Sequence, residues 1–456
     1  MRSRFREMLS AAMRINPEDN VRPEVAANFK HSVIYNTLDL MFFFLADSFV
    51  SINTIMPVFA ATLTDSPIII GLIPAIANAG WFLPQLFMAG YVGRLKRKVP
   101  FVVKMAVLER LPYLLFPILA LLIPSLSRST AVTILLILMV ARGLGGGLTA
   151  LPWQELMATV IPISHRSRFY GFSRVFAQSM GVLGSSIAAV VLSGLAYPTN
   201  YAVGFSIAVI AQWISFYFFS KNRDPEPPAS PEYDESKDTA EPGKERLTDW
   251  GLIWKTIRRD SNLRIYLSGQ SILFLGRMAS AYLAVYGLQR FNLDDGHAAL
   301  YTGLIFFSGI IGYAIFGALG DRIGPKRNIE IAMLLWILSL IIALTAPTPW
   351  IYDLIFVLFG LYTAAMVVGD SVLAMELGEE SQRTIYIGIA RTSTGIFILA
   401  APFLAGWLVN HFNYPTMFVA SIVFSLIGTL LISRVSDVPR RGLRNSKQAA
   451  RESNEK

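Results

Sequence analysis

The chain has 456 residues, of which 54% are hydrophobic and only 16% are charged, with a formal net charge of +9. Soluble domains carry about 25% charged residues, so this composition exceeds what a single soluble core can bury and predicts a membrane protein. The chain contains no cysteine, which excludes disulfides, thiolate metal sites and cysteine nucleophiles.

The N-terminal segment is polar and basic. Its first 30 residues lack the apolar core of a cleavable signal peptide. We therefore predict that residues 1–32 form a cytoplasmic N-terminal segment.

Twelve apolar runs follow, each long enough to cross a bilayer, which takes about 20 residues. Turn-forming residues separate several of them, as at Asp65-Ser66-Pro67. The sequence therefore predicts an all-α membrane protein with twelve transmembrane helices. The predicted spans 1 to 12 are 33–62, 67–93, 100–124, 129–160, 167–196, 200–220, 263–290, 298–320, 326–346, 350–377, 384–410 and 414–434.

The stretch between spans 6 and 7 differs in composition. Residues 221–247 are rich in proline and acidic residues and nearly free of large apolar ones, so they cannot form a packed core. We interpret the stretch as part of a cytoplasmic linker between two six-helix bundles. The predicted units are the N-terminal bundle 33–220, the linker 221–262, the C-terminal bundle 263–434 and a cytoplasmic tail 435–456.

An amphipathic helix is predicted within the linker at 248–260. Trp250, Ile253, Trp254 and Ile257 are spaced so that they share one helical face, with the basic residues off it. This pattern predicts a short helix that lies on the inner membrane surface.

Basic residues alternate between loops in a way that predicts orientation, because positive charge is retained in the cytoplasm. They concentrate in both terminal segments and in every second loop, whereas Arg128 and Arg290 are the exceptions on the other side. The sequence thus predicts a multi-pass protein of the inner or plasma membrane with both termini cytoplasmic. Because the bases are spread over many loops, no nucleic-acid partner is expected. The basic loop residues are Arg94, Lys96, Arg97, Lys98, Arg166, Arg168, Arg322, Lys326, Arg327 and Arg383.

The two halves of the chain resemble each other in sequence. Three segments recur, each at the same place in its half, which predicts a duplicated six-helix unit and a pseudo-symmetric pair of bundles. The paired segments are 28–36 with 262–270, 90–98 with 317–327, and 164–174 with 381–391.

The segment GALGDRIGPKR, at 317–327, resembles the loop signature of the major facilitator superfamily. The twelve spans and the long central linker are similar to that superfamily too, and the resemblance covers residues 33–434. It implies two six-helix bundles, a monomer, and secondary transport by alternating access. The first-half copy departs from the signature, because Arg94 stands where the family has an aspartate.

The charged loop after span 8 is predicted to form a cytoplasmic gate. We expect Asp321 to latch the second half to the N-terminus of span 5 in an outward-open state, with Arg322 pairing with Glu376 or Asp370. The alternative is that the loop only anchors the topology. The gate candidates are Gly317, Gly320, Asp321, Arg322, Gly324, Arg327, Arg166, Arg168, Glu155 and Glu376.

Ionisable residues inside spans are costly and mark functional sites. Arg142, followed by Gly146, resembles the span-4 pattern of proton-coupled members, although Gly145 replaces the usual glutamine. Two interpretations are open at this point. Either an acid beside Arg142 takes up a proton, or a fixed ion pair only holds helices together. The proton-coupling candidates are Asp47, Glu109, Arg142 and Asp39, with Arg110 as a further pairing partner.

Substrate contacts are expected in the cleft between the halves. Gln178 and Gln270 are the better polar candidates, because an amide that faced lipid would be unpaired. The cleft candidates are Phe43, Arg142, Thr149, Arg174, Gln178, Gln270, Phe274, Arg277, Tyr362, Met366 and Asp370.

The sequence favours a secondary active transporter of a small organic solute, coupled to protons and working as an exporter. A facilitative or sugar-type carrier is the near alternative, and a transporter-shaped receptor or scaffold is the alternative of another class. An enzyme is not expected, because the four histidines are far apart and no nucleophile motif occurs. No ATP-binding loop is evident, and neither a cofactor nor a metal is expected.

Overall fold

A computed structural model describes residues 21–92, 95, 97–223, 257–376 and 383–436. Regular structure in this part of the chain is helical throughout, with no β-strand. The predicted amphipathic helix at 248–260 lies outside the described residues apart from its last four positions, as does most of the predicted linker and tail.

Fourteen α-helices make up the described chain. They are α1 Pro23–Asp47, α2 Ile55–Leu63, α3 Pro67–Val92, α4 Val99–Leu122, α5 Arg128–Val160, α6 Ile163–Gly194, α7 Thr199–Ser220, α8 Ser261–Gly276, α9 Leu283–Phe291, α10 Gly296–Ile323, α11 Pro325–Thr345, α12 Pro349–Glu376, α13 Arg383–His411 and α14 Tyr414–Ser433. Ten helical segments within the described residues are long and apolar enough to cross a membrane, and one of these combines α8 with α9. The pair α1 and α2 lies on predicted span 1, and helix α13 lies on predicted span 11. The predicted fold class, an all-α membrane protein with two six-helix bundles, is confirmed.

The outer surface of the bundle is apolar. Side chains such as Leu121, Ile137 and Val190 are more than half exposed although they lie within the predicted spans. In water such a surface would be unfavourable by about 25 cal/mol for each Å² of apolar area, whereas against lipid tails it carries no such cost. These residues therefore face the hydrocarbon of a bilayer.

Spans 1 and 7 are broken, although the sequence predicts each as one continuous run. Helix α1 ends at Asp47, and turns lead through Ser48 to the start of α2 at Ile55. Helix α8 ends at Gly276, and a 3₁₀ turn over Met278–Ala281 leads to α9. The break recurs at the same place in each half, as expected of a duplicated unit, and it leaves backbone groups without an intrahelical partner.

The break in span 7 is held by its neighbours. The carbonyl oxygen of Gly276 accepts hydrogen bonds from Trp336 Nε1 of α11, at 2.9 Å, and from Ser425 Oγ of α14, at 3.3 Å. Ser421 Oγ, one turn before Ser425, donates to the same oxygen. A Cβ on Gly276 would lie 2.5 Å from Ser425 Oγ, so only glycine allows this close approach. A carbonyl left unpaired by the end of a helix is thus satisfied inside the second half.

The two halves pack together through α6 against α10 and through α3 against α13. At one end of the bundle, the short helices α2 and α9 also contact each other. We call this the opposite end, and we call the other, where Lys98, Arg166 and Arg322 lie, the basic end.

Glycines let α5 approach α3 and α4 at backbone distance. A Cβ on Gly145 would lie 2.6 Å from Glu109 Cα of α4, and a Cβ on Gly147 would lie 2.4 Å from the Gly80 carbonyl oxygen of α3. These contacts place Glu109 directly against the helix that carries Arg142, so the glycine-rich stretch positions charged side chains beside each other.

Candidate functional site

A cavity of about 540 Å³ lies between the two halves. The first half contributes side chains of α3 and α5 together with Asn53 from the break in span 1. The second half contributes those of α8, α11, α12 and α13 together with the break in span 7. Of the predicted cleft residues, the five that line it are Phe274, Arg277, Tyr362, Met366 and Asp370.

Arg142 is paired with Asp47 and with a tyrosine. Its Nη2 lies 2.7 Å from Asp47 Oδ1, and its Nε donates to Tyr113 Oη at 2.9 Å, with the guanidinium 5.4 Å from the Tyr113 ring centre. Asp47 is the last residue of α1, so the ion pair sits at the break in span 1. Sequence reasoning missed Tyr113, although its position four residues after Glu109 on α4 places both on one helical face.

Asp39 and Arg110 form a second ionic group deeper in the first half. Arg110 Nη2 lies 3.6 Å from Asp39 Oδ1 and donates to Ser215 Oγ at 3.0 Å, and Ser215 in turn donates to Asp39 at 2.6 Å. Arg110 Nε donates to the Gln212 carbonyl oxygen at 3.2 Å. Charge and hydrogen-bonding capacity are thus matched within a buried site.

Glu109 connects the two ionic groups. Its carboxylate lies 3.5 Å from Arg110 Nη1 and interacts electrostatically with Arg142 as well. The cluster formed by Asp39, Asp47, Glu109, Arg110 and Arg142 therefore holds three acids and two arginines. We call it the charge cluster. All four proton-coupling candidates belong to it.

Arg277 occupies the break in span 7, directly after α8. Its guanidinium lies 4.8 Å from the Phe274 ring centre and 5.7 Å from that of Tyr362, and its Nη2 lies 3.5 Å from Met366 Sδ. Its Nε is buried without a hydrogen-bond partner in the structure.

Asp370 lies on the cavity wall two turns after Tyr362 on α12. Its Oδ1 accepts hydrogen bonds from Tyr266 Oη, at 2.9 Å, and from Gln270 Nε2, at 2.8 Å. Gln270 thus supports a cavity residue without lining the cavity itself.

The remaining cleft candidates lie away from the cavity lining. Thr149 donates to the Gly145 carbonyl oxygen at 2.9 Å, within α5. Arg174 lies over the Phe44 ring at 5.3 Å, next to Phe43. Gln178 is buried against Gly309 of α10, and its Oε1 has no hydrogen-bond partner in the structure.

At the basic end, several gate candidates make contacts within their own half. Glu155 pairs with Lys98 at 2.9 Å, and Arg166 donates to the carbonyl oxygens of Ile161, at 3.1 Å, and Ala158. Such a partly exposed ion pair contributes little to stability, on the order of 0–1 kcal/mol.

The loop signature itself forms the tight turn expected of its glycines. Gly324 has a φ of 92°, in the region that favours glycine, and joins the end of α10 to Pro325 at the start of α11. A Cβ on Gly320 would lie 2.7 Å from Asn328 Nδ2, whereas one on Gly317 would meet nothing within 4 Å.

The charged residues of the gate are placed only in part. Arg168, Arg322 and Arg327 are exposed. The side chains of Asp321 and Glu376 lie outside the described part of the structure, so the latch stays a prediction.

Polar contacts join the two halves at the opposite end. Thr54 Oγ1 lies 2.5 Å from Thr302 Oγ1, and Tyr282 Oη donates to the Pro67 carbonyl oxygen at 2.8 Å. Together with the packing of α2 on α9, these contacts close this end of the bundle. Sequence reasoning missed them, because hydroxyls in apolar helices carry no signal of what they face.

Asp295 contributes a further contact at the opposite end, just before α10. Its carboxylate lies 3.5 Å from Asn200 Nδ2 of the first half. Burial raises the pKa of the Asp295 carboxyl above its ordinary value, and the neighbouring Asp294 acts in the same direction.

Comparison with known proteins supplies relatives along nearly the whole chain. The family model described as Major Facilitator Superfamily matches residues 38–329 and 298–454. A mutant of the nucleoside transporter NupG has a similar structure, with a TM-score of 0.66 at 12% identity, over 88% of this chain and 99% of that one. A D-xylose–proton symporter gives a TM-score of 0.65 at 15% identity, over 90% and 98%. At these identities the likeness shows a shared fold.

A curated relative matches part of the chain. It is a hexuronate transporter of Bacillus subtilis (strain 168), 28% identical over 175 residues. The match covers 37% of this chain and 40% of the relative, so the chain spans less than half of that protein's length in the alignment.

Proposed function

We propose that this chain, which belongs to the Major Facilitator Superfamily, is a secondary transporter that moves a small organic solute across the membrane by alternating access, coupled to protons. The cavity between the halves supports a solute site, because it is bounded by both bundles and would change as they move against each other. Closure of the opposite end supports one of the two access states that the mechanism requires.

The charge cluster is the single observation that carries the coupling. Among the described residues, Asp39, Asp47 and Glu109 face two arginines, Arg110 and Arg142. With every group ionised the cluster has one negative charge in excess, and an uncompensated charge inside a membrane protein is costly. Uptake of one proton makes the cluster neutral. The protein thereby has two protonation states that differ in how well they tolerate burial.

Asp47 is the acid that we propose exchanges the proton. A third of its side chain is exposed, against 7% for Asp39 and 8% for Glu109. Only a group that water can reach exchanges protons with the medium. The ion pair with Arg142 then couples its protonation to α5, and Glu109 and Arg110 complete the buried charge balance.

We infer that the basic end, with both termini, lies in the cytoplasm of a cell with an inner or plasma membrane. The distribution of Lys and Arg supports this orientation. We keep export as the proposed direction, which requires solute and proton to move in opposite directions. Antiport and symport give opposite pH changes, so the same assay tests the direction.

The test uses purified full-length protein in liposomes that contain a pH-sensitive dye. A panel of cations, neutral sugars, nucleosides and sugar acids is added outside, the last because the partial relative is named a hexuronate transporter. A solute that enters in exchange for protons makes the lumen more alkaline, and one that enters with protons makes it more acidic. Protein-dependent solute flux with no pH change would contradict proton coupling and leave a facilitative carrier.

The variants Asp47→Asn and Glu109→Gln locate the coupling. Each leaves two acids against two arginines, so each removes the excess charge and abolishes the pH signal while solute exchange continues. Asp65→Asn is the matched control, because its carboxylate is 96% exposed in a loop at the opposite end. A full pH signal in both cluster variants would overturn the proposed mechanism.

A further inference from the structure

The cavity contains an arginine, Arg277, that has no ion-pair partner among the described residues. Arg277 sits in the break of span 7, where the chain has left α8 and not yet begun the 3₁₀ turn, so its side chain is held at the cavity wall. The two arginines of the charge cluster in the first half differ in this respect. Arg110 and Arg142 each lie within 3.6 Å of an acid.

The surroundings of Arg277 stabilise a cation without neutralising it. Two aromatic rings, of Phe274 and Tyr362, face the guanidinium, and Met366 offers a thioether sulfur. In the described part of the chain no carboxylate lies within ion-pair distance of it, and its Nε is buried without a hydrogen-bond partner. Aromatic faces and a thioether bind a guanidinium only weakly, so an anionic ligand in the cavity would be a stronger partner for its Nη groups.

The acid on the same wall does not take that role. Asp370 accepts hydrogen bonds from Tyr266 and Gln270, which direct its Oδ1 toward α8. The cavity thus has a guanidinium on one part of its wall and a hydrogen-bonded carboxylate on another. A second negative charge on a ligand would share the cavity with the carboxylate of Asp370, so we expect a ligand with a single negative charge.

We propose that Arg277 binds the carboxylate of a small organic monoanion, and that this anion is the transported solute. The guanidinium fork matches a carboxylate, and the hydrogen bond to an ionised acceptor is about twice as strong as one between neutral groups. Asn53, Asn78 and Thr363 on the lining offer polar groups to hydroxyls of the solute, and Trp81 and Trp336 offer flat apolar faces to its body. The inference rests on the proposed function, since it names the chemical class that the cavity carries.

The test uses pairs of solutes that differ only in the acid group. Glucuronate is compared with glucose, and benzoate with benzyl alcohol, in two assays on the full-length protein. Binding is followed in detergent by the fluorescence of the cavity tryptophans, and transport by uptake of labelled solute into liposomes. We expect the acid of at least one pair to bind and enter, and its neutral partner to bind at least tenfold more weakly.

Variants of Arg277 then assign the effect. Arg277→Gln is expected to weaken binding of the acid by about 10-fold to 100-fold and to leave the neutral partner within about twofold. Arg277→Lys keeps the positive charge but loses the planar pair of donors, so its affinity for the acid is expected to lie between those of the wild type and Arg277→Gln. Arg128→Gln, which removes a cation 81% exposed at the opposite end, is the matched control and should change neither.

Thermal unfolding separates this role from a structural one. Because no described carboxylate pairs with Arg277, Arg277→Gln should unfold at the same temperature as the wild type or higher without solute, and should lose the stabilisation that the bound acid gives. Binding of neither acid, or equal weakening of acid and neutral partner, would overturn the anion site. Transport of the neutral partners alone would also overturn the anion site, but it would agree with the proposed transport function. Acid binding that depends on Arg277 without any transport would support the site and refute the proposed function.

Discussion

The carboxylate of Asp47 and the guanidinium of Arg142 meet at 2.7 Å where α1 ends, so one ion pair links a break in a membrane-crossing helix to the neighbouring α5. The pair is partly open to water, since Asp47 is a third exposed and Arg142 is 12% exposed. The pair of Arg110 and Asp39 is almost completely buried. The two pairs are therefore expected to respond differently to mutation.

Removal of Arg142 is expected to unbalance the charge cluster. Arg142→Met leaves three acids against one arginine, so the free energy of unfolding in detergent should fall by about 1–3 kcal/mol. The double variant Arg142→Met, Asp47→Leu should recover part of the lost free energy of unfolding. A double-mutant cycle measured by denaturation should give a coupling energy between about 0.5 and 3 kcal/mol. Additive effects of the two substitutions would show that the pair does not interact.

Removal of Arg110 is expected to cost more. Arg110→Met strands Asp39 in a buried site and breaks the bonds to Ser215 and to the Gln212 carbonyl oxygen, so we expect a loss of about 3–5 kcal/mol. Arg128→Met, at an exposed ion pair, should change the free energy of unfolding by no more than about 0.5 kcal/mol. Equal stability of the two variants would contradict the burial of Arg110.

The close contacts at glycines between helices predict that a larger side chain there lowers stability. Gly145→Ala places a Cβ 2.6 Å from the backbone of Glu109, and the resulting overpacking should cost about 1–3 kcal/mol. Gly171→Ala, in the interior of α6, meets nothing within 4 Å and should stabilise the helix by up to about 1 kcal/mol. Thermal unfolding in detergent compares the two, and a Gly145 variant as stable as the Gly171 variant would refute the close packing.

Closure of the opposite end can be trapped by a disulfide. The hydroxyls of Thr54 and Thr302 are 2.5 Å apart, so Thr54→Cys with Thr302→Cys places two thiols together in a chain that has no other. Oxidation should cross-link the halves and stop transport, and a reductant should restore it. Each single-cysteine variant should transport with or without oxidant. Rapid transport by a fully cross-linked protein would mean that this end does not open.

Asp295 makes closure of the opposite end depend on pH. Burial raises its pKa in the closed conformation, so its protonation favours closure. The stabilisation is complete below the ordinary Asp pKa of about 4 and is lost as the pH rises through the raised value. Spin labels on Asp65→Cys and Trp350→Cys, both exposed at this end, should show a shorter distance at lower pH. Asp295→Asn should remove the dependence, and an unchanged pH profile would contradict it.

Much of the fold follows from the sequence, because apolar length and turn residues determine where a chain crosses a bilayer. The all-α class and the two six-helix bundles are confirmed. The breaks in spans 1 and 7 were not predicted, since Ser48–Thr54 and the stretch after Gly276 remain apolar enough to continue a span. In span 7 the break involves tertiary contacts that no local pattern reveals, because side chains of α11 and α14 bind the Gly276 carbonyl oxygen.

The sequence predicts which residues belong to the candidate site, but not which acid pairs with which arginine. A charge inside a span identifies Asp47, Glu109 and Arg142 as unusual, yet spacing alone left open which acid meets Arg142. The pairing depends on how far α5 approaches α4, which the glycines set through contacts that no local pattern reveals. For the same reason, the sequence identifies Arg277 as a cleft residue but does not show that no described carboxylate pairs with it.

The carbonyl oxygen of Gly276 joins three helices of the second bundle. Trp336 of α11 and two serines of α14 donate hydrogen bonds to it, so the end of α8 is bound to both helices. Arg277, the next residue, lies on the cavity wall. A movement of α8 relative to α11 or α14 would break these bonds, so we expect the three helices to move together.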